Sequence, residues 1–114
     1  MFKLNETEKE YRHKTHGPKY LEKGPNMNFG IIELLPKEEV ATHVHNYMQE
    51  NFYILEGKVT MWIDGQKIEL EKGDYIHLDP KEVHKICNFG EENVKMVVTA
   101  APYMENDKEM VDVD

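Results

Sequence analysis

The chain has 114 residues and a formal net charge of −8, from 14 Lys+Arg against 22 Asp+Glu. That length suits one continuous core and is short for two, and the negative balance repels phosphate backbones and anionic membranes, which argues against nucleic acid and membranes as partners. Cys87 is the only cysteine, so no internal disulfide forms; with no apolar run near the ~20 residues of a membrane span and no signal-peptide pattern, the expectation is a soluble, cytoplasmic protein.

Residues 5–14 are nearly all polar or charged, and Gly17-Pro18 and Gly24-Pro25 punctuate the next stretch of chain. Residues 1–26 therefore read as an arm packed on the main domain, or as a strand pair at its edge. His13 and His16 sit in this polar context and read as solvated residues. Phe29 to Leu35 reads as a strand ending at Pro36, and Glu38 to Asn46 as the next. Glu50 to Leu55 forms another, stopped by Glu56-Gly57. Val59 to Ile63 and Lys67 to Leu70 flank Asp64-Gly65-Gln66, where Asp-Gly is the preferred sequence of a tight hairpin turn. Tyr75 to Leu78, Val83 to Cys87 and Asn93 to Ala101 complete the series. Short strands at close spacing, without sustained helical periodicity, predict an all-β sandwich or barrel over residues 27–104. Residues 105–114 read as an acidic tail, frayed or packed as an arm.

The candidate chemistry sits on this strand reading. His43 and His45 are two apart, so on a strand they share a face at a spacing of about 6.6 Å. Glu50, Phe52 and Ile54 share a face of the next strand, which places the carboxylate among apolar neighbours suited to an interior. His84 starts a later strand, and a buried imidazole is best satisfied near other ligands. His43, His45, Glu50 and His84 are therefore the candidate metal ligands: three imidazoles and one carboxylate for a divalent transition ion. The alternative is a barrel whose histidines are hydrogen-bonded and carry no metal. By alternation His77 points outward, opposite to Ile76 and Leu78, and Trp62 opposes Met61 and Ile63. Cys87 reads as a small packed residue.

The spacing His43-x-His45-x4-Glu50-x6-Gly57 resembles the first conserved motif of the cupin superfamily. Gly73-Asp74-Tyr75-Ile76-His77-Leu78-Asp79-Pro80, leading to His84 and Asn88, resembles the second. Two departures touch turn residues. Lys37 stands where the first motif usually opens with glycine, and Asp79 and Lys81 stand where the second usually carries proline and glycine. The resemblance covers roughly residues 30 to 100 and implies a single-domain double-stranded β-helix, or jelly-roll barrel, frequently a homodimer. It also implies one Fe, Mn, Ni, Co, Cu or Zn ion held by His43, His45, Glu50 and His84.

Two functions are compatible with these residues. One is a small metalloenzyme of dioxygenase, decarboxylase, lyase or isomerase type acting on a small organic acid or sugar-like substrate, with open metal positions for a small anionic ligand. Tyr47, Tyr53 and Glu33 are its candidate general acids or bases, and the loop from Asn46 to Gln49 its expected pocket mouth. The other is a non-catalytic module that binds or senses a small molecule with a bound metal.

Overall fold

Alternation of apolar and polar side chains is the pattern a half-buried strand requires, and in the computed structural model, which describes residues 1–112, it resolves into ten strands. They are β1 (Gly17–Lys23), β2 (Asn28–Leu34), β3 (Glu39–His45), β4 (Gln49–Glu56) and β5 (Lys58–Ile63). The chain continues through β6 (Gln66–Glu71), β7 (Tyr75–Leu78), β8 (His84–Cys87), β9 (Val94–Ala101) and β10 (Lys108–Met110). Two five-stranded sheets result, ordered β1-β2-β9-β4-β7 and β10-β3-β8-β5-β6. All the neighbouring pairs are antiparallel.

The all-β expectation holds, and the strands between residues 29 and 101 fall within a residue or two of where alternation put them. The hairpin between β5 and β6 turns on Asp64 and Gly65 with φ of 48° and 83°, the doubly positive geometry that a two-residue connection between twisted strands needs. The core lies between the sheets, with Phe52, Ile54 and Met96 from one facing Met61 and Ile86 from the other, all essentially inaccessible.

Both chain ends add structure to this sandwich. Gly17–Lys23 pairs with β2, with a bulge between Tyr20 and Glu22. The residues before it lie against the strands' outer side, where the Glu6 carboxylate sits 3.0 Å from Lys95 Nζ and 3.2 Å from Lys19 Nζ. The Lys19 ammonium also stands 4.3 Å from the Tyr11 ring centroid. At the other end, Lys108–Met110 pairs with β3, Lys108 opposite His45 and Met110 opposite His43. The last two residues of the tail expected over 105–114 lie outside the described residues.

Candidate metal centre

Four side chains converge from both sheets. His43 faces His84 directly across the β3–β8 ladder, and alternation brings His45 to the same side of β3, its ring centroid 5.2 Å from that of His43. Glu50 enters from β4 in the opposite sheet. One nitrogen or oxygen from each of His43, His45, Glu50 and His84 lies within 4.8 Å of the others, a group that could hold one metal ion. A transition ion bonds such atoms at about 2.0 to 2.2 Å, so an ion fits among them with small adjustments.

Hydrogen bonds outside the cluster set the state of two rings. His43 donates Nδ1–H to the Ala41 carbonyl at 2.8 Å, and His84 donates Nδ1–H to the Glu82 carbonyl at 3.0 Å. A carbonyl only accepts, so the neutral form of each ring presents its Nε2 lone pair inward, the arrangement found behind metal-ligating histidines. The Nε2 of His84 then lies 3.0 Å from Glu50 Oε1. Two lone-pair atoms at that distance are held together by a cation between them, and a metal ion shared by the two can be that cation. His45 is anchored differently: its Nε2 is 3.5 Å from Glu50 Oε2, while its Nδ1 is buried with no hydrogen-bond partner.

The electrostatics reflect this packing. Burial alone would push the Glu50 carboxyl up, but hydrogen bonds and charge from His45 and His84 outweigh it and bring it down to about 2. Burial holds the His43 imidazole down at about 4, its bond to Ala41 opposing only in part. At neutral pH Glu50 is thus an ionised carboxylate and His43 a neutral imidazole, the charge states a divalent ion requires of these two ligands.

Beside the cluster opens a cavity of about 280 Å³, lined among others by His43, His45, Glu50, Phe52, Arg12 and Tyr20. Its rim differs from expectation. The loop from Asn46 to Gln49 does not line it: Met48 is buried elsewhere and Tyr47 is exposed. Its lining includes instead Arg12, His13 and His16 of the N-terminal segment, Lys108 of β10, and Glu38 and Glu39. His16, expected to be solvated, is half-buried and pairs with Glu38 at 3.2 Å.

None of the three expected acid–base residues lines the cavity. Tyr53 is exposed between the core positions Phe52 and Ile54. Glu33 alternates with the core residues Ile32 and Leu34, so it faces out beside Asn93, where burial raises its carboxyl. His77 points outward as alternation predicts and bonds Asn51 and Asp79. Trp62 lies on the outer face of its sheet, edge-on to Phe89, and Cys87 is buried with its thiol 3.5 Å from Glu39. Arg12 and Tyr20 were not anticipated at the site. Arg12 carried one signal, being the only arginine in the chain, whereas Tyr20 carried none without the strand register.

Two antiparallel sheets closed around an inward histidine and glutamate cluster define a small double-stranded β-helix domain. The cupin domain family matches residues 30–100, and the chain belongs to it. An uncharacterized protein of Methanocaldococcus jannaschii is 35% identical over 95 residues, covering 77% of this chain and 76% of that one. The quercetin 2,3-dioxygenase of Bacillus subtilis is 47% identical over 47 residues, which is 41% of this chain but only 14% of the dioxygenase. Among solved structures, a Klebsiella pneumoniae protein described as an uncharacterized conserved protein with a double-stranded β-helix domain superposes with a TM-score of 0.82 at 21% identity, covering 99% of both chains. That likeness concerns the fold alone.

Proposed function

We propose that the protein is a small metal-binding cupin in which His43, His45, Glu50 and His84 hold one divalent transition ion, and that it acts on a small anionic organic molecule bound beside that ion. The observation that carries the reading is the facing pair of acceptors, His84 Nε2 and Glu50 Oε1 at 3.0 Å, with the other nitrogen of His84 committed to a backbone carbonyl. Three imidazoles and one carboxylate suit Fe, Mn, Ni, Co, Cu or Zn alike. When bound, such an ion supplies Lewis acidity and leaves up to two positions for oxygen ligands. The chain's own part is to fix the donor atoms, to line a cavity sized for a small molecule and to keep Phe52 against it as an apolar wall.

Enzymatic turnover of an organic acid or sugar-like substrate, of dioxygenase, decarboxylase, lyase or isomerase type, is the reading favoured by the identity shared with the Bacillus dioxygenase over 47 residues. A specific observation supports the second reading, a binding or sensing module: Tyr47, Tyr53 and Glu33 all lie away from the cavity. The reading extends to a homodimer, for which the exposed Phe89 packed edge-on to the half-buried Trp62 on the outer face is the supporting feature. Light scattering at the 13.4 kDa monomer mass across micromolar concentrations contradicts that part.

The test of the central reading is metal analysis. Purified protein is expected to carry close to one transition ion per chain, His45→Ala to lose most of it, and the ion to raise the melting temperature of the wild type. Stoichiometric metal retained after replacing both His45 and His84 overturns the assignment.

A further inference from the structure

Besides His43, His45 and Glu50, the cavity is lined by residues of the N-terminal segment, among them Arg12 and Tyr20. In the strand register Tyr20 stands opposite Gly30, Gly30 opposite Val98 and Val98 opposite Phe52. Directly opposed residues of an antiparallel sheet share a face, so Tyr20 projects from the same inner face as the buried Phe52. Glu50 lies in the neighbouring row, opposite Ala100.

The glycine in that row has a physical purpose. A Cβ on Gly30 would lie 3.0 Å from Tyr20 Cδ1 and 3.2 Å from its Cε1, so the ring lies across the glycine instead of standing beside it. Burial pushes the Tyr20 phenol up, the negative charge of Glu50 adds to this and Arg12 opposes it. Its hydroxyl therefore remains a neutral donor, and among the described residues no side-chain hydrogen bond involves it.

Arg12 belongs to the same lining. Its backbone N–H donates to the Pro18 carbonyl at 2.9 Å, which ties the preceding turn to the start of β1. Among the described residues its guanidinium makes no ion pair. A planar cation and an unengaged phenol thus border a cavity large enough for about a dozen heavy atoms, in a chain otherwise strongly acidic. A guanidinium offers paired donors matched to a carboxylate, a geometry that lysine lacks.

We propose that Arg12 and Tyr20 select the ligand of this cavity, a small carboxylate bearing an oxygen on the adjacent carbon, with Arg12 pairing to the carboxylate and Tyr20 donating to the second oxygen. This deepens the reading of the cavity as a small-anion site and rests on it. The residues act in binding, so the readout is affinity rather than turnover.

The experiment is calorimetric titration of L-malate and 2-oxoglutarate into cobalt-loaded protein, with metal content measured on every sample. Wild type is expected to bind at least one of the two. Arg12→Gln weakens it about tenfold or more and Tyr20→Phe about three- to tenfold, both retaining the wild-type cobalt content. Lys72→Gln, which removes one positive charge away from this cavity, stays within about twofold as the control for net charge. Affinity unchanged in both Arg12→Gln and Tyr20→Phe overturns the proposal, as does wild type that binds neither acid at about 20 mM. If cobalt itself fails to bind, the metal assignment has failed separately, and the same comparison on metal-free protein decides the role of Arg12 and Tyr20 by the same criteria.

Discussion

The Asp107 carboxylate accepts a hydrogen bond from the Met48 backbone N–H at 2.9 Å, across 59 residues of sequence. It also accepts from the N–H groups of Tyr47 at 3.1 Å and Asn46 at 3.0 Å. Three successive amides aimed at one carboxylate form an anion-binding nest, here filled by the protein itself. The nest is the turn joining β3, with His43 and His45, to β4, with Glu50. Asp107 therefore helps fix the angle between the two halves of the candidate ligand cluster, and β10 comes directly after it to pair with His43 and His45.

Replacing Asp107 tests that role. Asp107 is 6% exposed, so Asp107→Ala leaves three amides of a tight turn without their acceptor and is expected to destabilise the metal-free protein by about 2–4 kcal/mol. Asp107→Asn keeps one acceptor oxygen and falls between. Urea unfolding measures both, and metal affinity is expected to fall in the same order. An alanine variant with wild-type stability removes Asp107 from the account of the site.

The two departures from the family's turn glycines have a conformational counterpart. Lys37 and Lys81 adopt φ of 72° and 75°, the left-handed region that side chains with a Cβ occupy at a cost of about 1–2 kcal/mol. The turns are held by tertiary bonds, from Lys37 N–H to the Asn88 carbonyl at 2.8 Å and from Lys81 N–H to the His45 carbonyl at 2.7 Å. The backbone thus keeps a glycine-like shape with lysine in place. Lys37→Gly and Lys81→Gly are each expected to stabilise by about 0.5–1 kcal/mol, the relieved strain exceeding the entropy that glycine adds to the unfolded chain. Thermal and urea midpoints check this, and a loss of stability in both variants contradicts it.

The pH dependence of the metal-free protein has a definite sign. His43 titrates near 4 in the folded protein against an ordinary value of 6.5, so between those limits the unfolded chain binds the extra proton and stability falls as the solution is acidified. Glu50, brought down to about 2 from 4.5, contributes stability that is present above 4.5 and is lost as pH falls toward 2. Both groups act in the same direction. Melting temperatures in a chelator are expected to decline from about pH 6.5 downward, and His43→Gln to flatten the upper part of that decline while leaving the lower part. A wild-type profile level from pH 7 to pH 4 contradicts the burial argument.

Legibility in the sequence tracked the range of the physics involved. The strands from residue 29 to residue 101 announced themselves because alternation is local, and the same period of two put His43 with His45 and Glu50 with Phe52. Alternation also dictates that Glu33 faces out between Ile32 and Leu34, so its candidacy as an acid or base conflicted with information already present. Asp107 and β10 were hidden for a different reason. A three-residue strand of Lys, Glu and Met has no hydrophobic pattern of its own, and its partner lies more than 60 residues away. Tyr20 became visible only through a register that skips a residue at the β1 bulge.

Gly30 offers the sharpest check on that register. A methyl group there would lie 3.0 Å from both the Lys19 carbonyl oxygen and Tyr20 Cδ1, tighter than ordinary van der Waals contact. The tyrosine ring is the freer of the two and gives way first, while the carbonyl of the β1–β2 strand pair keeps its tight contact and adds to the cost. Gly30→Ala is therefore expected to cost about 1–2 kcal/mol of stability by overpacking and to turn Tyr20 away from the cavity, weakening malate or 2-oxoglutarate binding about as much as Tyr20→Phe does. Metal content is expected to be unaffected, because none of His43, His45, Glu50 or His84 is among the nearest neighbours of that methyl group. Calorimetry and metal analysis on the one variant separate the two effects. Loss of metal with ligand affinity preserved would mean that Gly30 supports the ion rather than the cavity lining.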